Sequence, residues 1–228
     1  MKEITQVRSI TLWIFFVPFI ALNVCLILIT QFHGLFPNQE DILLNTIPYI
    51  DGGASISRTA RVFPTYLIFK PAMFLTSYLL VKYWIYNKAI ILNFDPGNQY
   101  INKILFFGIG SAILLTVHSI FLGIHFDNDL YKLFRRVVIL LFIIFEIVAQ
   151  GYLVFNFYKL KDKIIDIINF NFLKLKRYLV TLLIIVAFAS IPIVSMPGYK
   201  FFKHALEWDY FLGVISFYLL TFFMWKKK

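Results

Sequence analysis

Six apolar stretches dominate this chain, and each is long enough to cross the roughly 30 Å hydrocarbon core of a bilayer as a helix of about 20 residues. Hydrocarbon offers no hydrogen bonds to a bare backbone, so such segments must satisfy their amides internally. The sequence predicts spans at 10–31, 63–86, 103–124, 136–158, 178–196 and 209–225. The expected fold is all-α: a single transmembrane domain over residues 1–228, built as a six-helix bundle with a long external loop at 32–62.

Composition excludes a soluble domain. Of the 228 residues, 60% are apolar and 15% charged, whereas soluble domains carry about 25% charged residues. The net charge of +10 would suit nucleic acid if the basic residues shared one face. They lie instead in short connections beside the spans, where topology and anionic lipids account for them. Membrane lipids are therefore the expected partners, with other membrane proteins second; neither nucleic acid nor a cofactor is expected. Six crossings put both termini on one side. Fourteen of the 22 Lys and Arg residues fall on that side and seven on the other, with Lys70 inside the second span, so the termini are expected in the cytoplasm. The single cysteine, Cys25, leaves no intramolecular disulfide. The first span is longer than a secretory h-region and lacks a small-x-small cleavage site, so it is expected to be retained.

Between the fourth and fifth spans, KLKDKIIDIINFNFLKLKR sets Leu160, Ile164, Ile167, Ile168 and Leu175 near one helical face with lysines flanking it. That pattern predicts a helix in the cytoplasmic interface, either a snorkelling basic loop or a surface for anionic head groups. No Gly-rich phosphate loop, CxxC pair, HExxH or nucleophile elbow occurs. Gly108 and Ala112 form a small-xxx-small pair in the third span, a pattern that favours close helix packing.

Ionisable groups within a span are costly and usually face the bundle interior. Three stand out: Lys70 about 10 Å, His118 about 9 Å and Glu146 about 15 Å below the outer ends of their spans, with Asn23 at a similar level. Lys70 can reach Glu146 as a buried ion pair that fixes helix register beside Pro71, or the groups can line a polar cavity. His118 and His125 share a helical face, with Asp127 and Asp129 following, a set able to bind Zn²⁺ or simply to be solvated. In the external loop, Pro48, Gly52 and Gly53 indicate a shaped turn. Arg58 and Arg61 can hold a phosphate bidentately, or pair with Asp51, Asp127 or Glu207 to fasten loops together. The segment KHALEWDY brings His204, Glu207 and Asp209 to the same face.

Pro48, Tyr49, Ile50, Asp51 and Gly53 ahead of Phe63, the second span ending in Tyr78, Lys82 and Tyr83, and Glu207-Trp208 followed by FYLLTFF resemble the damage-regulated autophagy modulator superfamily. That superfamily includes GPI-anchor remodelling factors and the N-terminal domain of the calcofluor-white-hypersensitive proteins. Its members usually carry a His just before the fourth span, where this chain has Tyr131, and Lys70 is unusual among them. The resemblance implies six spans, cytoplasmic termini, no cofactor, and a part in lipid or GPI-anchor metabolism or in membrane-associated regulation. The residues themselves suggest an outer-leaflet site of Asp51, Arg58, Arg61, Glu207 and Trp208, with Lys70 and Glu146 beneath it. Two other readings stay open. One is a transporter or channel using Lys70, His118 and Glu146 as a polar pathway. The other is a membrane-embedded hydrolase or transferase with His204 or His118 as base, in which none of Ser55, Ser57, Ser119 and Ser195 stands out as nucleophile.

Overall fold

The structure, a computed structural model, describes residues 2–124, 126 and 128–226, and the side chains of 193–195 are not among those described. It is all-helical. Six long helices, α1 (Lys2–Gln31), α4 (Tyr66–Phe94), α5 (Ile101–Phe121), α6 (Asp129–Lys159), α8 (Phe170–Ser195) and α9 (Lys200–Met224), are supplemented by the short helices α2 (Pro48–Asp51), α3 (Ile56–Ala60) and α7 (Lys161–Ile164). Among the described residues, four of these helices, α1, α5, α6 and α9, are long and apolar enough to cross a membrane. Lys70, Lys82 and Lys88 dilute α4. At their starts α6 overruns its expected apolar span by seven residues and α9 by nine, because the backbone ladder continues into the flank, whereas α4 starts three residues later and α5 ends three residues earlier than expected.

Each long helix packs on the next in sequence, and α9 closes against α1, so the six make a ring. Neighbours run antiparallel, as short connections require. At one end, Asn98 Nδ2 donates to Asn156 Oδ1, Lys163 Nζ to Phe94 O, and the Arg8 guanidinium lies over the Phe222 ring. The α4–α5 and α6–α8 connections and both chain ends therefore share that end. The other end carries the residue 32–65 loop and the α5–α6 and α8–α9 turns. The looser contact in the ring is that of α6 with α8.

The segment expected to lie in the interface folds differently. Only Lys161–Ile164 is helical before the chain turns, and Leu160, Ile164, Ile168 and Leu173 are buried in the main core. Asn169 N–H donates to Met224 O and Lys226 N–H to Ile167 O, tying this turn to the end of α9. Of the apolar face that suggested a membrane surface, Leu160, Ile164 and Ile168 are covered by the protein itself, where burial against α9 also satisfies backbone groups, Ile167 is half-buried, and Leu175 stays exposed. Gly108 does mark close packing: a Cβ there would overlap the Trp84 ring.

Candidate functional site

The long loop is clasped to α9. Pro48 starts α2 and Gly52 ends it at φ +64°, where a Cβ would also overlap the Phe201 carbonyl, so only glycine allows α9 to approach. His204 Nδ1 is 2.9 Å from Gly52 O; a carbonyl only accepts, so Nδ1 carries the proton. Trp208 Nε1 donates to Ala54 O at 2.9 Å, its buried ring lies edge-on to Tyr49, and Tyr49 OH meets Asn23 at the side of α1. Burial raises the Tyr49 phenol pKa. Asp51 is saturated within its own turn, accepting from Thr46 Oγ1 at 2.7 Å, Ile47 N–H at 2.7 Å and Gly53 N–H at 2.8 Å. Those donors, Gly53 first, hold its carboxyl below the ordinary value. Glu207 faces the Ile56 and Ser57 N–H groups that open α3. Asp51, Glu207 and Trp208 are thus brought to one place, as fasteners of the loop.

Arg58 and Arg61 are not paired with these acids. Arg61 ends α3 half-buried, and its pKa is lowered first by burial and then by Arg135 and Arg58, with Asp41 the opposing charge. Arg135, near the start of α6, has a buried Nε with no hydrogen bond and lies over the Tyr131 ring at 6.0 Å. His118 feels the Arg135 charge, and its Nδ1 is likewise buried without a partner. Gly123, at φ +83°, lets the α5–α6 turn rest on the Arg61 carbonyl and so holds the two arginine-bearing segments together. Among the described residues the one ion pair is Lys132–Asp129 at 3.0 Å, on the surface.

Lys70 and Glu146 do not pair. Lys70 Nζ donates to Ile120 O at 3.2 Å, capping the end of α5, where the helix dipole favours a cation. Glu146 bonds to Ser111, nine residues earlier on that helix and hence about 14 Å deeper. Fully buried, it accepts from Ser111 Oγ at 2.6 Å, from Gln150 Nε2 at 3.0 Å and from Tyr218 OH. Tyr218 stacks edge-on to Tyr83, whose hydroxyl is 3.4 Å from Thr221 Oγ1. Lys176, fully buried, donates to Thr221 Oγ1 at 2.7 Å and lies 3.9 Å from the Phe217 ring centre. Five helices meet in this polar centre. Sequence reasoning found only Glu146; Gln150 one turn on and Tyr218 with Thr221 on one face of the last span were the available signals. Lys176 was counted only as a flanking positive charge.

His125 and Asp127 lie outside the described residues, and among those described no group of three His, Cys, Asp or Glu residues could hold a metal. Ser55 Oγ caps α3 by accepting from Arg58 N–H, and Ser119 Oγ donates to Leu115 O within its own helix. The Ser195 side chain lies outside the described set. The arrangement offers two things chemically: a convergence of guanidiniums at the loop-bearing end, opposed among the described residues by Asp41, and a saturated acid at the centre. Comparison with family models, curated proteins and solved structures found no match for this chain.

Proposed function

We propose that this multi-pass protein crosses the membrane six times with both termini cytoplasmic, and that it binds an anionic lipid head group, free or as part of a lipid anchor, at the outer leaflet. The observation that carries this reading is the convergence of Arg58, Arg61 and Arg135, opposed among the described residues by the carboxylate of Asp41. Guanidiniums brought together without matching acids repel one another, and a phosphate relieves this by accepting bidentate, charge-assisted bonds. A role in lipid or GPI-anchor metabolism, or in membrane-associated regulation, follows from the resemblance to the damage-regulated autophagy modulator superfamily. The exposed Phe63, Leu67 and Phe126 near this end give acyl chains an apolar rim. Asp51, Glu207 and Trp208 support the site by shaping the loop; Lys70 holds the end of α5.

Native mass spectrometry of protein exchanged into defined detergent–lipid mixtures tests this. Wild type should retain phosphatidylglycerol over phosphatidylcholine, and Arg58→Ala/Arg61→Ala should lose a substantial part of that preference. Equal retention by both proteins would sink the reading.

A further inference from the structure

A groove of about 740 Å³ runs between α6 and α8, at the looser of the ring's contacts, within the roughly 300–1,000 Å³ typical of ligand sites. Its α6 wall runs from Leu140 through Gly151 to Phe155, and Ile184 and Phe188 form the opposite side. The fifteen residue steps from Leu140 to Phe155 along α6 span about 22 Å, longer than the roughly 15 Å of one hydrocarbon leaflet. The lining is almost wholly apolar until the end that bears the chain termini. There the groove reaches Tyr100, and two lysines converge on that ring: Lys159 Nζ at 4.7 Å and Lys103 Nζ at 6.0 Å from its centre. Lys159 also lies over Phe155, another wall residue, at 4.8 Å. Among the described residues neither lysine contacts a carboxylate.

We infer that this groove holds one acyl chain of an anionic glycerophospholipid whose phosphate is taken by Lys103 and Lys159 at the Tyr100 end. Charge complementarity selects the occupant. A second copy of the chain would have to bring acids to the paired lysines, whereas the termini-bearing end of this protein is net basic: Lys2, Lys88, Lys161, Lys163, Lys174, Arg177 and Lys226 outnumber Glu3, Asp95, Asp162 and Asp166. An apolar slot that ends under two unneutralised ammonium groups matches one tail and one phosphate. The site is separate from the arginine cluster, at the opposite end of the bundle. It rests on the proposed function only for the leaflet, which becomes the cytoplasmic one.

The same native mass spectrometry, with phosphatidylglycerol and phosphatidylcholine as probes, reads both sites through different variants. Lys103→Gln/Lys159→Gln alters exposed side chains and should bring the two lipids toward parity at this site while leaving lipid bound. Gly151→Leu, whose Cβ would meet Val180 at an ordinary 3.9 Å and whose longer side chain fills the groove, should remove the lipid held here while leaving the adduct at the arginine cluster. Lipid adducts unchanged in both variants would overturn the inference, as would a lipid-free wild-type dimer that Gly151→Leu converts to monomer. Loss of anionic preference in Arg58→Ala/Arg61→Ala alone would overturn this site and leave the outer one standing; loss in the lysine variant alone would do the reverse.

Discussion

Glu146 and Arg61 are both partly or wholly withdrawn from water, yet their surroundings are opposite. Glu146 has three donors from three different residues and is out of reach of Lys70. Among the described residues, Arg61 feels the like charges of Arg135 and Arg58 and the opposing carboxylate of Asp41. A buried polar group that is fully satisfied has no affinity left to offer a ligand and acts to fix helix register. A charge cluster left unbalanced carries an unfavourable energy that an anion removes. By this contrast Glu146 serves as architecture, even with Gln150 Oε1 beside it buried without a partner, and the proposed recognition falls at the loop-bearing end.

The strongest way to break the contrast is at Glu146. Replacing it with Leu deletes three interhelical or intrahelical bonds and leaves Tyr218 OH without its acceptor, while Ser111 and Gln150 keep the Gly108 and Val214 carbonyls. Bonds of this kind within membranes average about 0.6 kcal/mol each, so the loss should be about 2 kcal/mol, read as a clear fall in Tm in detergent. Glu146→Gln, which keeps acceptor capacity, should recover part of it. Lipid retention should survive in whatever fraction stays folded; its disappearance there would make the centre part of the site. Next in size is Gly108→Val, which drives side-chain atoms into Trp84 close to the Ser111 end of the same network. Overpacking should cost about 1–3 kcal/mol, again with lipid preference unchanged.

How much of this was legible in the sequence divides along the same line. Helix number and order follow from apolar run length, a property that survives any packing. Helix ends do not, because polar flanks continue the hydrogen-bond ladder; nor did the fate of residues 159–177, whose amphipathic pattern is equally suited to a membrane surface and to the end of α9. Depth along a helix was readable, but azimuth was not: Lys70 and Glu146 fall in the same half of the bilayer by counting, and diverge because one extends toward the end of α5 while the other points inward at Ser111. Arg58 and Arg61 were recognisable as loop cations, while their convergence with Arg135 depends on the α5–α6 turn seating on Arg61 through Gly123.

A smaller, local effect is expected at Asp51. Its folded pKa lies below the ordinary carboxylate value of about 4, because Gly53, Thr46 and Ile47 favour the ionised form. The folded state therefore binds this proton less readily than the unfolded chain does. The contribution is present above the ordinary value and is lost as pH falls through the lower, folded one. Acidification below about pH 4 should loosen the clasp over Trp208, seen as a change in tryptophan emission, and Asp51→Asn should flatten that acid limb. An unchanged limb in the variant would assign acid sensitivity to another group.

The smallest stability effect sharpens the contrast most. If Arg58 and Arg61 serve recognition, Arg58→Ala/Arg61→Ala should leave Tm close to wild type, within the roughly 0.5 kcal/mol usual for surface changes, while lowering anionic-lipid retention. In lipid-free detergent at low salt the variant should even be slightly the more stable, because it no longer presents three guanidiniums to one another. That advantage should shrink as salt is added, since the Debye length falls from about 30 Å at 0.01 M to about 8 Å at 0.15 M. Adding phosphatidylglycerol should raise the wild-type Tm more than the variant's, by mass action on a site the variant lacks. A variant that is markedly less stable without lipid would show Arg58 and Arg61 to be fasteners of the same kind as Asp51 and Trp208, and the distinction between a satisfied centre and a demanding outer end would fall with them.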